Sequence, residues 1–132
     1  MRIGIDGGSL SNRRGFGRFA RQALSALGDA PSRHEFVVLV DRPSLDQVTI
    51  PESFETVPVN VREAPSQAAS AQGKRSFRDL FAMGRAAARS QLDCLFFPAS
   101  YSIFPVWKVP QVVVTMHDTM PLAHPDLIFP NR

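Results

Sequence analysis

The sequence has one cysteine, Cys94, one tryptophan and one tyrosine in 132 residues. A single thiol cannot build a disulfide framework, so the fold must rest on packing. No apolar run reaches the roughly 18 residues that a membrane-spanning helix needs. The opening MRIGIDGG reads as a strand and not as a signal peptide, and a cytoplasmic domain is the expectation. Excess charge is also scarce. Fifteen Lys and Arg against 12 Asp and Glu leave +3, compatible with a phosphorylated ligand and too weak to argue for nucleic acid. No glycine-rich loop carries the Lys-Ser or Lys-Thr of a nucleotide-triphosphatase, and no serine sits in a nucleophile elbow. There is no internal repeat.

Apolar residues make up 44% and charged residues 20%, enough for an ordinary core in one domain. Arg2 to Asp6 reads as a strand, broken by Gly7 and Gly8. After a polar loop the period changes. Phe16, Phe19, Ala20, Ala23, Leu24 and Leu27 mark one face of a helix, which Gly28 and Pro31 are expected to end. Phe36 to Val40 is a continuously apolar second strand closed by Asp41. Residues 42–53 are turn-rich. Phe54 to Val61 is a weaker third strand, with Pro58 pointing to an edge position. Arg62 to Arg75 is small and polar and is expected to be poorly ordered without ligand. Phe77, Leu80, Phe81, Gly84 and Ala88 mark a second amphipathic helix. Asp93 to Phe97 is a fourth strand.

Val112, Val113 and Val114 are β-branched and do not alternate with polar residues. Such a run suits a strand buried on both faces of a parallel sheet. The fold class expected is therefore α/β: a three-layer, Rossmann-like parallel sheet in the order 3-2-1-4-5. Ligands bind such sheets at the carboxyl ends of the strands, where the strand order reverses.

Two groups of residues fall at that edge. The first is the glycine loop. Gly15-x-Gly17-x-x-Ala20 fits the relaxed dinucleotide fingerprint, and Asp41 ends strand two where a ribose-binding acid would stand. Yet eight residues separate Asp6 from Gly15, whereas the fingerprint glycines follow their strand almost at once. Three readings stay open: an oxidoreductase domain binding a dinucleotide, glycines that only shape a turn, and a helix N-terminus opened toward a diphosphate. Arg13, Arg14 and Arg18 favour the last, because cations near a helix start oppose its dipole unless an anion sits between them.

The second group is His117 and Asp118, directly after the valine strand. Imidazole donates or accepts near neutral pH and can reach a substrate hydroxyl from a strand end. Asp118 could orient the histidine, cap a turn or bind a hydroxyl. The spacing of His117, Asp118 and His124 matches none of the common metal-ligand patterns, and no metal is expected. Asp6 lacks the second acid and the lysine of a phosphotransfer site. Tyr101, Phe104 and Trp107 read as loop anchors, with the lining of a sugar or lipid groove as the alternative.

IGIDG at the start, the GxGRFAR helix opening, LFFPAS, and VVVTMHD followed by PLAHPDLIFP together resemble the N-terminal domain of retaining GT-B glycosyltransferases. The likeness is to the group 1 family that includes bacterial mannosyltransferases, and it spans nearly the whole chain. It implies an acceptor-side domain over residues 1–132, truncated relative to family members, with the C-terminal donor-binding domain absent. It implies transfer of a hexose from a nucleotide-diphosphate sugar to a glycan or lipid-linked acceptor, with retention and without a metal or other cofactor. His117 and Asp118 would stand at the transferred sugar. Gly15 and Gly17, with Arg14 and Arg18 beside them, would approach the diphosphate. The resemblance also implies that this stretch alone transfers nothing. Peripheral membrane contact in the complete enzyme and self-association of the isolated domain are further expectations. A non-catalytic sugar- or partner-binding domain of the same fold is the remaining alternative.

Overall fold

The computed structural model describes residues 1–62, 76–119 and 123. Five strands and two α-helices alternate along them: β1 (Arg2–Asp6), α1 (Gly15–Asp29), β2 (Glu35–Asp41), β3 (Glu55–Val59), α2 (Phe77–Arg89), β4 (Cys94–Phe97) and β5 (Gln111–Val114). Short 3-10 turns cover Arg42–Gln47 and Ser100–Ser102. The strands form one sheet in the order β3-β2-β1-β4-β5, and every pairing is parallel. This is the expected Rossmann-like α/β fold, with one layer of helix on each face.

The alternation of β2 shows how the sequence divides the core. Phe36, Val38 and Val40 turn to one face, where they meet Ile5, Leu10 and the α1 residues Ala20 and Leu24. Val37 and Leu39 turn to the other, against Leu95, Phe97 and the α2 residues Met83 and Ala87. Both faces of β2 are covered, so its side chains are apolar without a gap. Phe104 packs edge-on against Phe97, with ring centroids 4.9 Å apart. Trp107 lies over Gly84, where a β-carbon would come within 2.8 Å of the indole ring. These two aromatics are loop anchors.

Two local expectations need correction. The valine strand is not buried on both faces. β5 is the outer strand of the described sheet, and Val112 and Val113 are 47% and 51% exposed. A β-branched run favours a strand wherever it falls, and among the described residues no strand pairs with its outer side. Gly28 does not end α1, which continues to Asp29. A β-carbon at Gly28 would sit 2.8 Å from Pro51 Cγ, so the glycine permits a close approach between helix and loop. The turn-rich stretch after β2 contains an ordered 3-10 helix capped by Asp41. The poorly ordered behaviour expected of 62–75 and the apolar tail with Leu122, Leu127, Ile128 and Phe129 fall, beyond Arg62, outside the described residues.

Arg2 ties together the amino-terminal edge of the sheet. Its guanidinium reaches Glu35 at 3.1 Å and Glu55 at 2.7 Å. Its Nε donates to the Ser90 carbonyl at 2.8 Å. One side chain thus joins β1, β2, β3 and the C-terminus of α2. The hydrogen bonds and charges of Glu55 and Glu35 outweigh burial and hold its pKa above the usual arginine value.

Candidate functional site

Strand order reverses between β1 and β4, so the crevice at their carboxyl ends is the topological switch. The loop from Gly7 to Arg14 lies over the β1 side. It is built from short polar turns. Asp6 Oδ1 accepts from the Gly8 N–H at 3.1 Å. The Leu10 N–H donates to the Gly7 carbonyl, and the Asn12 N–H to the Ser9 carbonyl. Asn12 Oδ1 accepts from the Arg14 N–H at 2.8 Å, while its Nδ2 donates to the Tyr101 hydroxyl at 3.1 Å. Asn12 therefore connects the glycine loop to the segment after β4.

Arg21, which the helical period places on the solvent side, is a support for this loop. Its Nη1 donates to the carbonyls of Leu10 at 2.6 Å and Asn12 at 2.9 Å. An arginine in the second turn of a helix has no sequence signature for such a role.

The two glycines have different environments. Gly17 is buried, and a β-carbon there would collide with the Asn12 carbonyl and come within 2.8 Å of the Ser9 carbonyl oxygen. Its work is to let α1 pack on the loop backbone. Gly15 is exposed, and a β-carbon there would meet nothing within 4 Å. The opening turn of α1 has no side-chain cap and no acidic residue. Arg14 and Arg18 flank it, both exposed, and neither forms an ion pair among the described residues. The arrangement is a positive helix end with cations beside it, suited to an anion.

His117 sits against this same turn. Its Nε2 lies 2.7 Å from the Pro98 carbonyl oxygen. A carbonyl can only accept, so Nε2 carries a proton; in the neutral tautomer this leaves Nδ1 as an acceptor. The ring is packed edge-on by Phe16 at 5.0 Å and Phe19 at 4.9 Å between centroids. Phe16 in turn meets Tyr101 at 5.5 Å. His117 is exposed and held in one orientation, outside both apolar cores. Asp118 is exposed at the next position. His124 lies outside the described residues, and among those described no group of three metal-ligating side chains forms.

The ribose-binding role open to Asp41 does not fit its position. The side chain is fully buried, and Oδ1 accepts from the Ser44 N–H at 3.0 Å as the cap of the 3-10 helix. Its Oδ2 is buried without a hydrogen-bond partner among the described residues. Desolvation pushes its pKa up, opposed by the hydrogen bonds from Ser44. With Asp41 occupied and the glycine loop detached from β1, the dinucleotide fingerprint loses both its parts.

A search of family models, of curated proteins and of solved structures finds no match to this chain. What the residues establish is a Rossmann-like domain whose switch edge brings together Gly15, Arg14, Arg18, Phe16, Phe19, Tyr101 and His117. No helix among the described residues is long and apolar enough to cross a membrane.

Proposed function

We propose that this domain is the acceptor-side half of a retaining glycosyltransferase of the GT-B type. The donor would be a nucleotide-diphosphate hexose, and the acceptor a glycan or a lipid-linked sugar. One observation carries the reading. The two sequence features that resemble that family, the glycine-arginine helix opening and the His-Asp strand end, lie about a hundred residues apart in sequence and touch in the fold, through the rings of Phe16, Phe19 and His117. The contact is what a shared donor site requires.

In this reading each group has a definite task. The opening turn of α1, with Arg14 and Arg18, faces the diphosphate and stabilises the negative charge that grows on it as it leaves. His117 accepts a sugar hydroxyl at Nδ1, because the Pro98 carbonyl holds its other nitrogen. Phe16 and Phe19 fix the ring, so the contact is formed before reaction and needs no reorganisation. Gly17 positions the helix and does not touch ligand. No residue is assigned as a covalent nucleophile.

The test is an assay of the full-length protein with uridine- and guanosine-diphosphate hexoses, with the anomer of the product read by NMR. Transfer with retention supports the proposal. Transfer with inversion, or neither binding nor turnover with any such donor, overturns it. Donor binding without turnover would favour the non-catalytic domain of the same fold.

A further inference from the structure

The opposite edge of the sheet holds a second feature, which the transferase reading does not use. A groove of about 710 Å³ runs between β3, the outer strand on that side, and α2. Val57, Val59 and Ala86 supply apolar surface, and Phe81 stands at its side, 54% exposed. Arg78, Arg85 and Arg89 line the helical wall. They follow one another at intervals of seven and four residues, which places them on one stripe of the helix.

Among the described residues the groove lacks countercharge: Glu55 is the one carboxylate in its lining, and it already pairs with Arg2 at 2.7 Å. None of Arg78, Arg85 and Arg89 has an ion pair or a side-chain hydrogen bond among the described residues. The connecting sequence 62–75 contains Arg62, Lys74 and Arg75 against Glu63 alone, so it holds no surplus acid to supply what is missing. Among the described residues, three cations without an ion pair thus line one trough, beside a strand with no neighbour on its outer side.

We propose that this groove binds an acidic, extended peptide segment of a partner protein. The dimensions agree. At 1.5 Å per residue, Arg78 and Arg89 are about 16 Å apart along α2, and Arg85 and Arg89 about 6 Å. Alternate side chains of an extended chain recur at about 6.6 Å, so acidic residues two apart match Arg85 and Arg89. The segment lies along the trough beside an edge strand in which Pro58 removes one ladder donor, so side-chain contacts with the arginines and the apolar wall carry most of the binding. Arginine suits this task because its fork meets a carboxylate with two parallel bonds. Apolar residues between the acids would face Val57, Val59 and Phe81. A flat anionic bilayer cannot reach the floor of a trough. A nucleic-acid strand would make no use of the apolar surface there. The inference is independent of the transferase reading.

The experiment uses a short fluorescein-labelled peptide of alternating glutamate and valine, with anisotropy as the readout. The full chain should bind it and lose affinity as salt is raised. Reversing two exposed charges, Arg78→Glu with Arg85→Glu, should weaken binding by about tenfold or more, with the circular dichroism spectrum unchanged. If that variant misfolds, amide NMR shifts of the native chain serve instead: they should change at Glu55 to Val59 and along α2. No binding up to about 1 mM peptide, weaker than any specific contact of this size, overturns the proposal. So do binding indifferent to the charge reversal, shifts confined to the His117 edge, and tighter binding to phosphatidylglycerol vesicles or to a poly-uridine strand.

Discussion

His117 and Pro98 close the carboxyl edge of the sheet: the imidazole Nε2 stands 2.7 Å from the Pro98 carbonyl oxygen, joining the end of β5 to the end of β4. The Thr115 N–H donates to the Phe97 carbonyl at 3.0 Å just before it, so the parallel ladder continues to the histidine. The bond leaves Nδ1 as the ring nitrogen not engaged by Pro98. It also gives His117 a share in stability, which a loose pocket residue would lack.

His117→Ala is therefore expected to do two things. Losing the bond to Pro98 and the ring contacts should lower stability by about 1 kcal/mol, the usual net value of such a bond, read by urea denaturation. If the domain belongs to the proposed transferase, kcat of that enzyme should fall by roughly 10² to 10³, the cost of removing one well-placed hydrogen-bonding group. Nucleotide affinity should change little. Normal turnover with saturating donor would leave His117 as a strand-end clamp only.

The two glycines of the α1 opening should separate folding from binding. Gly17→Ala pushes a methyl into the Asn12 carbonyl, and overpacking of this kind costs about 1–3 kcal/mol. Its melting temperature should drop by several degrees. Gly15→Ala meets open space and should keep the fold, while the added methyl stands where a diphosphate would approach. A Gly15→Ala protein with unaltered donor affinity would move the anion site away from this turn.

Asp41 makes the stability depend on pH with a definite sign. Burial raises its pKa above the 3.8 of an unperturbed aspartate. Above 3.8 the unfolded chain gives up this proton while the folded chain still holds it. Stability falls as pH rises through the window from 3.8 to the folded value, and stays lower beyond it. Asp41→Asn keeps an acceptor for the Ser44 N–H and removes the buried charge. It should be at least as stable as the native chain at neutral pH, with that acid-side slope flattened. Asp41→Ala loses the cap and should cost about 1 kcal/mol. Denaturant midpoints across an acid pH series check both; an asparagine variant as unstable as the alanine one would contradict the account.

The layers of this fold could be read from local periodicity. Two amphipathic helices between apolar strands have one simple packing, and β2 with its unbroken Phe36 to Val40 core run could only be central. The valine strand shows where that reasoning stops. The same pattern that marks β2 as buried marks Val112 to Val114, yet the expected order already put β5 last, and a last strand is buried on both faces only if helices or other segments extend over it. Pattern reports what a strand can tolerate, not what lies beside it. The candidate site was legible in part. His117 and Gly15 came from position after a strand and before a helix. Tyr101 reads as a loop anchor, and it meets Asn12 and Phe16; Arg21 and Asn12 were not legible, because their roles are contacts to backbone groups or across distant segments. Gly17 was legible as a required glycine, though the requirement is the passage of a loop and not a phosphate. Asp41 looked like a ligand because a strand-end acid and a helix cap have the same sequence signature.

β5 supplies the last expectation. Val112 and Val113 are about half exposed on the outer strand, and Met116 and Ile103 add exposed apolar surface at 55% and 43%. Neither Gln111 nor the valines bring a charge to the strand, and no proline interrupts it after Pro110. Natural edge strands are commonly blunted by lysine, proline or a bulge, because an open, apolar edge pairs with another copy. β3, at the other side, has Pro58 and Glu55. The isolated chain should accordingly self-associate through β5 as concentration rises, seen in sedimentation velocity. Val113→Lys places a charge on that edge without touching either core cluster. It should shift the chain toward monomer while leaving the unfolding midpoint within about 0.5 kcal/mol of native, as for most exposed substitutions. A chain that stays monomeric at high concentration would mean that β5 is already covered by part of the same molecule. A Val113→Lys protein that associates as strongly as the native one would place the contact elsewhere.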